Sequence, residues 1–347
     1  MRSDELDFHL PAELIAQEPA ASRSASRLLH YRRADRSIVH RKFAELPSLL
    51  QRGDLMVLND ARVIPARFAL RKQSGGRIEG LFLGETAAGH WRAMLKNLGP
   101  VKGPVELAFA DDAAIKVTVV GRNDEGDYLM NIATEENAIA LLERVGRMPL
   151  PPYIRREKEH DARDDADRER YQTVFAKQAT AVAAPTAALH FTDGIFSELQ
   201  QRGVEKTFVT LDVGAGTFKP LTADTLEGHV MHRESYTISP DAAASINRAK
   251  AEGRRIIAVG TTSARVLESQ PANEPIQPKR DSTAIFIYPP YEWRFVDAMI
   301  TNFHLPKSTL VALVAAKVGL DEQKRIYAEA IREKYRFFSY GDAMLIE

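Results

Sequence analysis

Six short segments with strand-like character, from Phe68 to Ile132, sit inside a chain whose remainder alternates strands with helices. The six are Phe68–Lys72, Arg77–Leu83, Trp91–Leu95, Val105–Phe109, Ile115–Gly121 and Tyr128–Ile132. Gln73-Ser-Gly-Gly76 and Asn123-Asp-Glu-Gly126 supply turns between neighbours. Strands this short and this closely spaced predict a small antiparallel barrel. On either side the pattern is different. An apolar strand, Leu55–Leu58, precedes the six. After them a helix capped by Thr134 is expected to run to Val145, with Gly146 as its stop. From Asp193 onward strands are predicted at Thr207–Val213, Arg255–Val259 and Thr283–Tyr288. Helices are predicted at Asp193–Arg202, Asp241–Ala251, Thr262–Ser269, Ser308–Val318 and Asp321–Tyr335. The reading is an α/β fold: a discontinuous α/β main domain (residues 1–66 and 155–347) interrupted by an inserted β-barrel domain with its linker (67–154).

The 347 residues hold 47 basic and 47 acidic side chains and no cysteine. The absence of cysteine removes thiol nucleophiles, disulfides and cysteine-ligated zinc or iron–sulfur clusters. The longest apolar run, Leu310–Ala316, falls far short of the about twenty residues of a membrane span. No basic start followed by a hydrophobic stretch opens the chain, so a cytoplasmic location is expected. Zero net charge argues against indiscriminate nucleic-acid binding. The charges are segregated, however: residues 23–77 carry 13 basic and 4 acidic side chains, and residues 104–143 carry 2 and 9. Residues 155–170 mix six basic with seven acidic side chains. They read as a solvated segment or an ion-paired helix, or else as a loop that orders over substrate.

Three kinds of segment could carry chemistry. Leu211-Asp-Val-Gly-Ala-Gly-Thr217 closes a strand with glycines that let a ligand approach the backbone. Alone it resembles the first motif of a methyltransferase that binds S-adenosylmethionine, but Pro220 stands where a helix should run. Ile256-Ile-Ala-Val-Gly-Thr-Thr-Ser263 is a strand running into a helix start, suited to an anion. Arg265 adds a cation there. Four of the nine histidines, His190, His229, His232 and His304, lie among polar or small residues and could serve as general bases. His229 and His232 have the spacing of a metal pair, but no further ligand stands out and no metal is expected.

These segments, in this order, resemble the S-adenosylmethionine:tRNA ribosyltransferase-isomerase family of queuosine biosynthesis. The matching stretches include Asp7-Phe-His-Leu-Pro-Ala-Glu-Leu-Ile-Ala-Gln-Glu-Pro19, Ser26-Arg-Leu-Leu29, Leu58-Asn-Asp-Ala-Arg-Val-Ile-Pro-Ala-Arg67 and Tyr171-Gln-Thr-Val174. Further on come Ala184-Pro-Thr-Ala187, Leu189-His-Phe-Thr192, Val213-Gly-Ala-Gly-Thr-Phe218 and Met231-His-Arg-Glu234. Gly260-Thr-Thr-Ser-Ala-Arg265, Thr301-Asn-Phe-His-Leu-Pro-Lys-Ser-Thr309 and Tyr340-Gly-Asp342 complete the set. The chain departs from the family pattern at Ala188, Asp212, Gly228 and Pro290.

The resemblance implies an α/β domain interrupted by a small β-barrel. It also implies an unusual reaction: the ribosyl part of S-adenosylmethionine passes to the aminomethyl group of a 7-deazaguanine (preQ1) at the wobble position of a tRNA with a GUN anticodon. Epoxyqueuosine forms, and adenine and methionine leave. S-adenosylmethionine is then a co-substrate, with no permanent cofactor, and the enzyme is expected to be a monomer. Position within the matched motifs assigns the donor to Gly214, Gly216, Thr217, Thr261, Thr262, Ser263 and Arg265. His190 is the first candidate for proton abstraction, followed by His232 with Glu234 and His304 with Asn302. Asp60 and Arg62 are assigned to orienting the base or donor, and Arg23, Arg27, Arg32, Arg33, Arg67, Arg71 and Lys72 to a tRNA-facing surface. A methyltransferase and a tRNA-binding homologue without activity are the alternatives.

Overall fold

The computed structural model describes residues 1–100, 103–157, 161–214, 221 and 223–347. Strands β1 (Arg27–Arg32) and β2 (Ser37–Lys42) form an antiparallel pair, and a short helix α1 (Leu46–Leu49) leads to β3 (Leu55–Asn59) and β4 (Ala61–Val63). Six strands follow: β5 (Arg67–Lys72), β6 (Arg77–Glu85), β7 (Trp91–Lys96), β8 (Val105–Phe109), β9 (Lys116–Arg122) and β10 (Tyr128–Ile132). They close into a barrel in the order β10-β7-β6-β5-β8-β9, as their alternation predicts. Phe82, Trp91, Phe109, Val119 and Met130 fill its interior. Helix α2 (Ala138–Val145) adds Leu141, Leu142 and Val145 to that core. It starts later than predicted: the cap is Asn137, which accepts from Ala140 N–H at 2.9 Å, and not Thr134.

Helix α3 (Asp164–Arg170) lies in the charged segment. It is the ion-paired helix of the expectation: Asp164 pairs with Arg147 and Arg168 with Glu143, while Asp165, Ala166 and Glu169 are exposed. Arg156 and Asp167 pair at 2.6 Å with both side chains only 3% exposed, and Tyr340 donates to Asp167 at 2.8 Å. Strand β11 (Gln178–Ala181) pairs in parallel with β4. Then come α4 (Asp193–Gln201), β12 (Glu205–Leu211), β13 (Glu234–Ile238), α5 (Pro240–Ala251), β14 (Ile256–Val259), α6 (Thr261–Glu268), β15 (Lys279–Thr283), β16 (Ala298–Asn302), α7 (Thr309–Val318), α8 (Leu320–Arg332) and β17 (Ala343–Ile346). The hydroxyls of Thr192, Ser239 and Ser308 cap α4, α5 and α7, each accepting a backbone N–H. The predicted strand Thr283–Tyr288 is displaced: the pairing ends at Thr283. Ile285, Phe286 and Tyr288 pack on the main core as irregular chain instead. The Ile285 carbonyl is taken by Arg265 Nε at 3.3 Å.

Nine strands form one mixed sheet in the order β15-β13-β12-β3-β14-β16-β17-β1-β2. Its central strands are buried on both faces. Successive side chains of a strand point to opposite faces, so Leu55 and Val57 join one core while Met56 and Leu58 join another. The first core contains residues of α5, α6, α7 and α8, and the second contains residues of α1 and α4. Strands β12, β3, β14 and β16 are mutually parallel. Their C-terminal ends therefore emerge together, and loops at such ends are the usual ligand position in open α/β sheets. Among the described residues no helix is long and apolar enough to cross a membrane.

Candidate active site at the strand ends

A cavity of about 250 Å³ opens where β12, β14 and β16 end. Val213 follows β12, Gly260 follows β14, and Thr301 and Asn302 close β16, and all four line the cavity. Gly260 has φ +91°, a conformation that side chains disfavour. It stands at the N-cap of α6 without supplying any side-chain cap. A helix's first N–H groups lack intrahelical partners. Those of Thr261, Thr262 and Ser263 find no acceptor among the described residues. Thr261 and Thr262 line the cavity, and the buried Thr262 hydroxyl also has no partner. This end of α6 can hold an anion.

His304 lines the same cavity. Its Nε2 meets the Thr301 hydroxyl at 2.8 Å, and its backbone N–H donates to the Tyr327 hydroxyl at 3.2 Å. Burial pushes its pKa down to about 3, so the ring is neutral at physiological pH. The Nδ1 atom has no hydrogen-bond partner among the described residues. Thr186 donates to Asn302 Oδ1 at 3.1 Å, which fixes that amide. The Asn302 Nδ2 then donates to His190 Nε2 at 3.3 Å and to the Phe338 carbonyl at 3.2 Å. Phe338 also lines the cavity and adopts φ +72°, a strained value for a bulky residue.

His190 sits behind this arrangement and does not line the cavity. Its Nδ1 meets Ser26 Oγ at 2.7 Å and its Nε2 accepts from Asn302, so both ring nitrogens are engaged. Burial, and then the nearby Arg336 and Arg23, push its pKa down to about 3. This geometry makes it a partner of Asn302, and His304 is the histidine that lines the cavity. His232 is exposed and Glu234 is buried, and among the described residues no hydrogen bond or ion pair joins the two. Glu234 forms an ion pair with Arg265, both side chains being 6% exposed, and accepts the Gly214 N–H at 3.1 Å. The pair engages Arg265 Nη1 and anchors the start of the glycine segment, while the buried Arg265 Nη2 has no hydrogen-bond partner among the described residues. Gly216 and Thr217 lie outside the described residues. His229 is half-buried and packs edge-on against Phe286, and burial lowers its pKa.

Most of the expected tRNA-facing cations are engaged within the chain. Arg23 donates to the carbonyls of Leu189 and Glu169, and Arg27 donates to the Glu333 carbonyl and lies 3.8 Å above the Tyr335 ring. Arg62 pairs with Glu143 at 2.9 Å, Arg32 with Asp35 at 3.0 Å, and Lys72 donates to the Leu98 carbonyl. Arg71 is exposed and also interacts within the chain. Asp60 accepts from the Thr210 hydroxyl at 2.6 Å, away from the cavity, and burial raises its pKa. Of the departures from the family pattern, Ala188 is buried in the second core and Asp212 is half-buried, and neither lines the cavity. The sequence reading did not single out Tyr153 or Ser339 as cavity residues, and it held Thr186 only as a member of a matched stretch and Ser308 also as a helix start. The Tyr153 hydroxyl bonds Ser339 at 2.6 Å across 186 positions of chain, and burial pushes the tyrosine up to about 12.

Comparisons with known proteins bear on this site. The family model described as "Queuosine biosynthesis protein" matches residues 3–346. A protein of Anaeromyxobacter sp. (strain Fw109-5), named S-adenosylmethionine:tRNA ribosyltransferase-isomerase, is 47% identical over 350 residues, covering 100% of this chain and 99% of its own. A protein of the same name from Legionella pneumophila (strain Paris) is 46% identical over the full length of both chains. The crystal structure of the S-adenosylmethionine tRNA ribosyltransferase from Thermotoga maritima is similar with a TM-score of 0.54 and 33% identity, covering 99% of this chain and 100% of that one. The chain belongs to the S-adenosylmethionine:tRNA ribosyltransferase-isomerase family of queuosine biosynthesis proteins.

Proposed function

We propose that the chain transfers the ribosyl group of S-adenosylmethionine to the aminomethyl nitrogen of 7-aminomethyl-7-deazaguanine at the wobble position of a tRNA with a GUN anticodon, and isomerises it. The products are epoxyqueuosine-tRNA, adenine and methionine. The protein acts as a monomer in the cytoplasm. The observation that supports this site is the uncapped end of α6 in the same cavity as a neutral imidazole. The donor's carboxylate takes the N–H groups of Thr261 and Thr262 together with the free Thr262 hydroxyl. His304 Nδ1, with Nε2–H donating to Thr301, removes the proton from the carbon beside the sulfonium. That carbon is acidified by the adjacent positive charge. Asn302, held by Thr186, fixes the cavity wall at Phe338.

Incubation with S-adenosylmethionine and a tRNA carrying the aminomethyl base, followed by mass spectrometry, tests the reading. Adenine, methionine and epoxyqueuosine are expected. S-adenosylhomocysteine would identify a methyltransferase, and binding without any product would identify an inactive tRNA-binding homologue.

A further inference from the structure

A second cavity, of about 330 Å³, lies between the barrel wall and the proline-rich joint at Pro149–Pro152. The proposed reaction uses no residue of it. Its barrel side is a transverse row across three neighbouring strands: Arg67 of β5 stands opposite Leu81 of β6, which stands opposite Met94 of β7. Residues paired in register share one face of the sheet. The row is thus a guanidinium followed by an apolar shelf, and Met94 is 43% exposed. In the next row Glu79 stands opposite Lys96, which sets one acidic side chain against one basic one.

Arg67 and Lys96, both lining this cavity, make no side-chain hydrogen bond or ion pair with any described residue. Arg67 is half-buried. Burial is the main force on its pKa and lowers it; Glu79 and Asp164 oppose that, while Arg147 and Arg77 add to it. A partly desolvated guanidinium with no ion-paired carboxylate among the described residues, beside an open apolar shelf, has the chemistry of a site for a flat group that carries a phosphate.

The position of the cavity adds a third observation. Val182 lines it, and the next residue, Ala183, lines the active-site cavity. Pro152 lines it, and the next residue, Tyr153, lines the active-site cavity. Consecutive Cα atoms are about 3.8 Å apart. The two cavities are therefore neighbours on either side of the same two segments, within the reach of adjacent nucleotides of one strand.

We infer that this second cavity holds the nucleotide next to the modified one in the RNA strand, its base lying on Leu81, Met94 and Pro151 and its phosphate on Arg67. The inference rests on the proposed function. Base modification exposes unstacked neighbours that need a surface, and RNA-reading proteins commonly supply an apolar one.

The test uses a synthetic anticodon stem–loop with the aminomethyl base at the wobble position, and two further loops lacking the base on its 5′ or 3′ side. Binding is followed by fluorescence anisotropy in the presence of S-adenosylmethionine, and product formation is measured on the intact loop. The wild type should bind one of the two abasic loops about tenfold more weakly than the intact loop, within the range stacking of one base supplies. Arg67→Ala and Met94→Glu should each bind the intact loop about tenfold more weakly; Met94→Glu should lose little more on that abasic loop, whereas Arg67→Ala should lose a similar factor on it, because the abasic nucleotide keeps its phosphate. Arg67→Ala should also lower the salt slope by about 0.7, the value of one single-strand phosphate contact. Circular dichroism checks that both variants fold, and Arg67→Lys, which keeps the charge, should retain most of that slope. Equal wild-type affinity for all three loops overturns the subsite, as do Met94→Glu and abasic losses that simply multiply. If epoxyqueuosine still forms in that case, only the subsite fails. If the wild type forms none, the reaction assignment fails and takes the subsite with it.

Discussion

Strand β6 of the barrel buries Ile78, Gly80 and Phe82 and leaves the residues between them partly open, whereas β3 of the large sheet buries all five residues from Leu55 to Asn59. The difference decides where each region can meet a ligand. The barrel closes on one core and keeps its outer face, so a row such as Arg67, Leu81 and Met94 can be presented sideways. The central strands of the large sheet have helices on both faces, while strands toward its edges, such as β13 and β2, also expose side chains. The central strands reach a ligand at their C-terminal ends, and the uncapped α6, Thr301 and His304 all stand there. The barrel offers a surface, and the sheet offers a point at which backbone groups converge.

The comparison is broken most severely if His304 proves dispensable. His304→Ala should lower single-turnover epoxyqueuosine formation by about 10²–10⁴-fold, the usual contribution of a general base. His190→Ala should cost far less in rate, because its ring faces Asn302 and Ser26. A larger loss for His190 than for His304 would move the chemistry out of the cavity. The next effect is on stability. A Cβ at Gly146 would lie 1.9 Å from the Pro65 carbonyl oxygen and 2.4 Å from that of Leu142, both backbone. Gly146→Ala should lower the stability measured in urea by about 1–3 kcal/mol or more. Gly121, on β9, has nothing within 4 Å of such a Cβ, and Gly121→Ala should stay within about 0.5 kcal/mol. Equal effects at the two positions would contradict the packing described.

Smaller effects sharpen the picture. Thr262→Val removes a hydroxyl that has no partner in the protein alone, so it should leave the melting temperature unchanged. It should raise the KM for S-adenosylmethionine by about 2–10-fold, the worth of one hydrogen bond. An unchanged KM would place the donor elsewhere. A further effect concerns pH. His190 and His304 each take up a proton near pH 3 in the fold and near pH 6.5 when unfolded. Between those values the unfolded chain holds more protons, so stability falls as pH drops from 6.5 toward 3 and does not depend on these groups above 6.5. His190→Gln should flatten that fall by about one proton at most. Thermal melts between pH 4.5 and 8 measure it, and an unaltered slope would mean that His190 is protonated in the fold.

Local chemistry made much of the fold legible. The barrel strands follow from alternation and glycine turns, and Thr192, Ser239 and Ser308 mark helix starts by the hydroxyls that cap them. The apolar run Ala284–Tyr288 carries the signal of a strand but packs on the core as irregular chain, a choice made by distant neighbours and invisible in a local pattern. The same holds at the site. Thr261, Thr262, Asn302 and His304 stood out as motif residues at predicted strand and helix ends. Tyr153 and Ser339 meet only through the fold. The charge count of residues 23–77 does not reveal that Arg23 and Arg27 donate to the chain's own carbonyls. Glu234 and Arg265 lie 31 positions apart and pair only through the fold.

Strand β17 lies between β16 and β1 in the large sheet, with residues 343–346 pairing on both sides. It is the last strand along the chain, yet it is the bridge by which β1 and β2, the first, are joined to the rest. During synthesis from the N-terminus the barrel can assemble from strands close in sequence while this sheet stays divided. Residues 27–42 must wait, unpaired with their neighbour, until position 346 has left the ribosome. A chain without residues 343–346 would keep its barrel strands, while β1 and β2 would lose their link to β16.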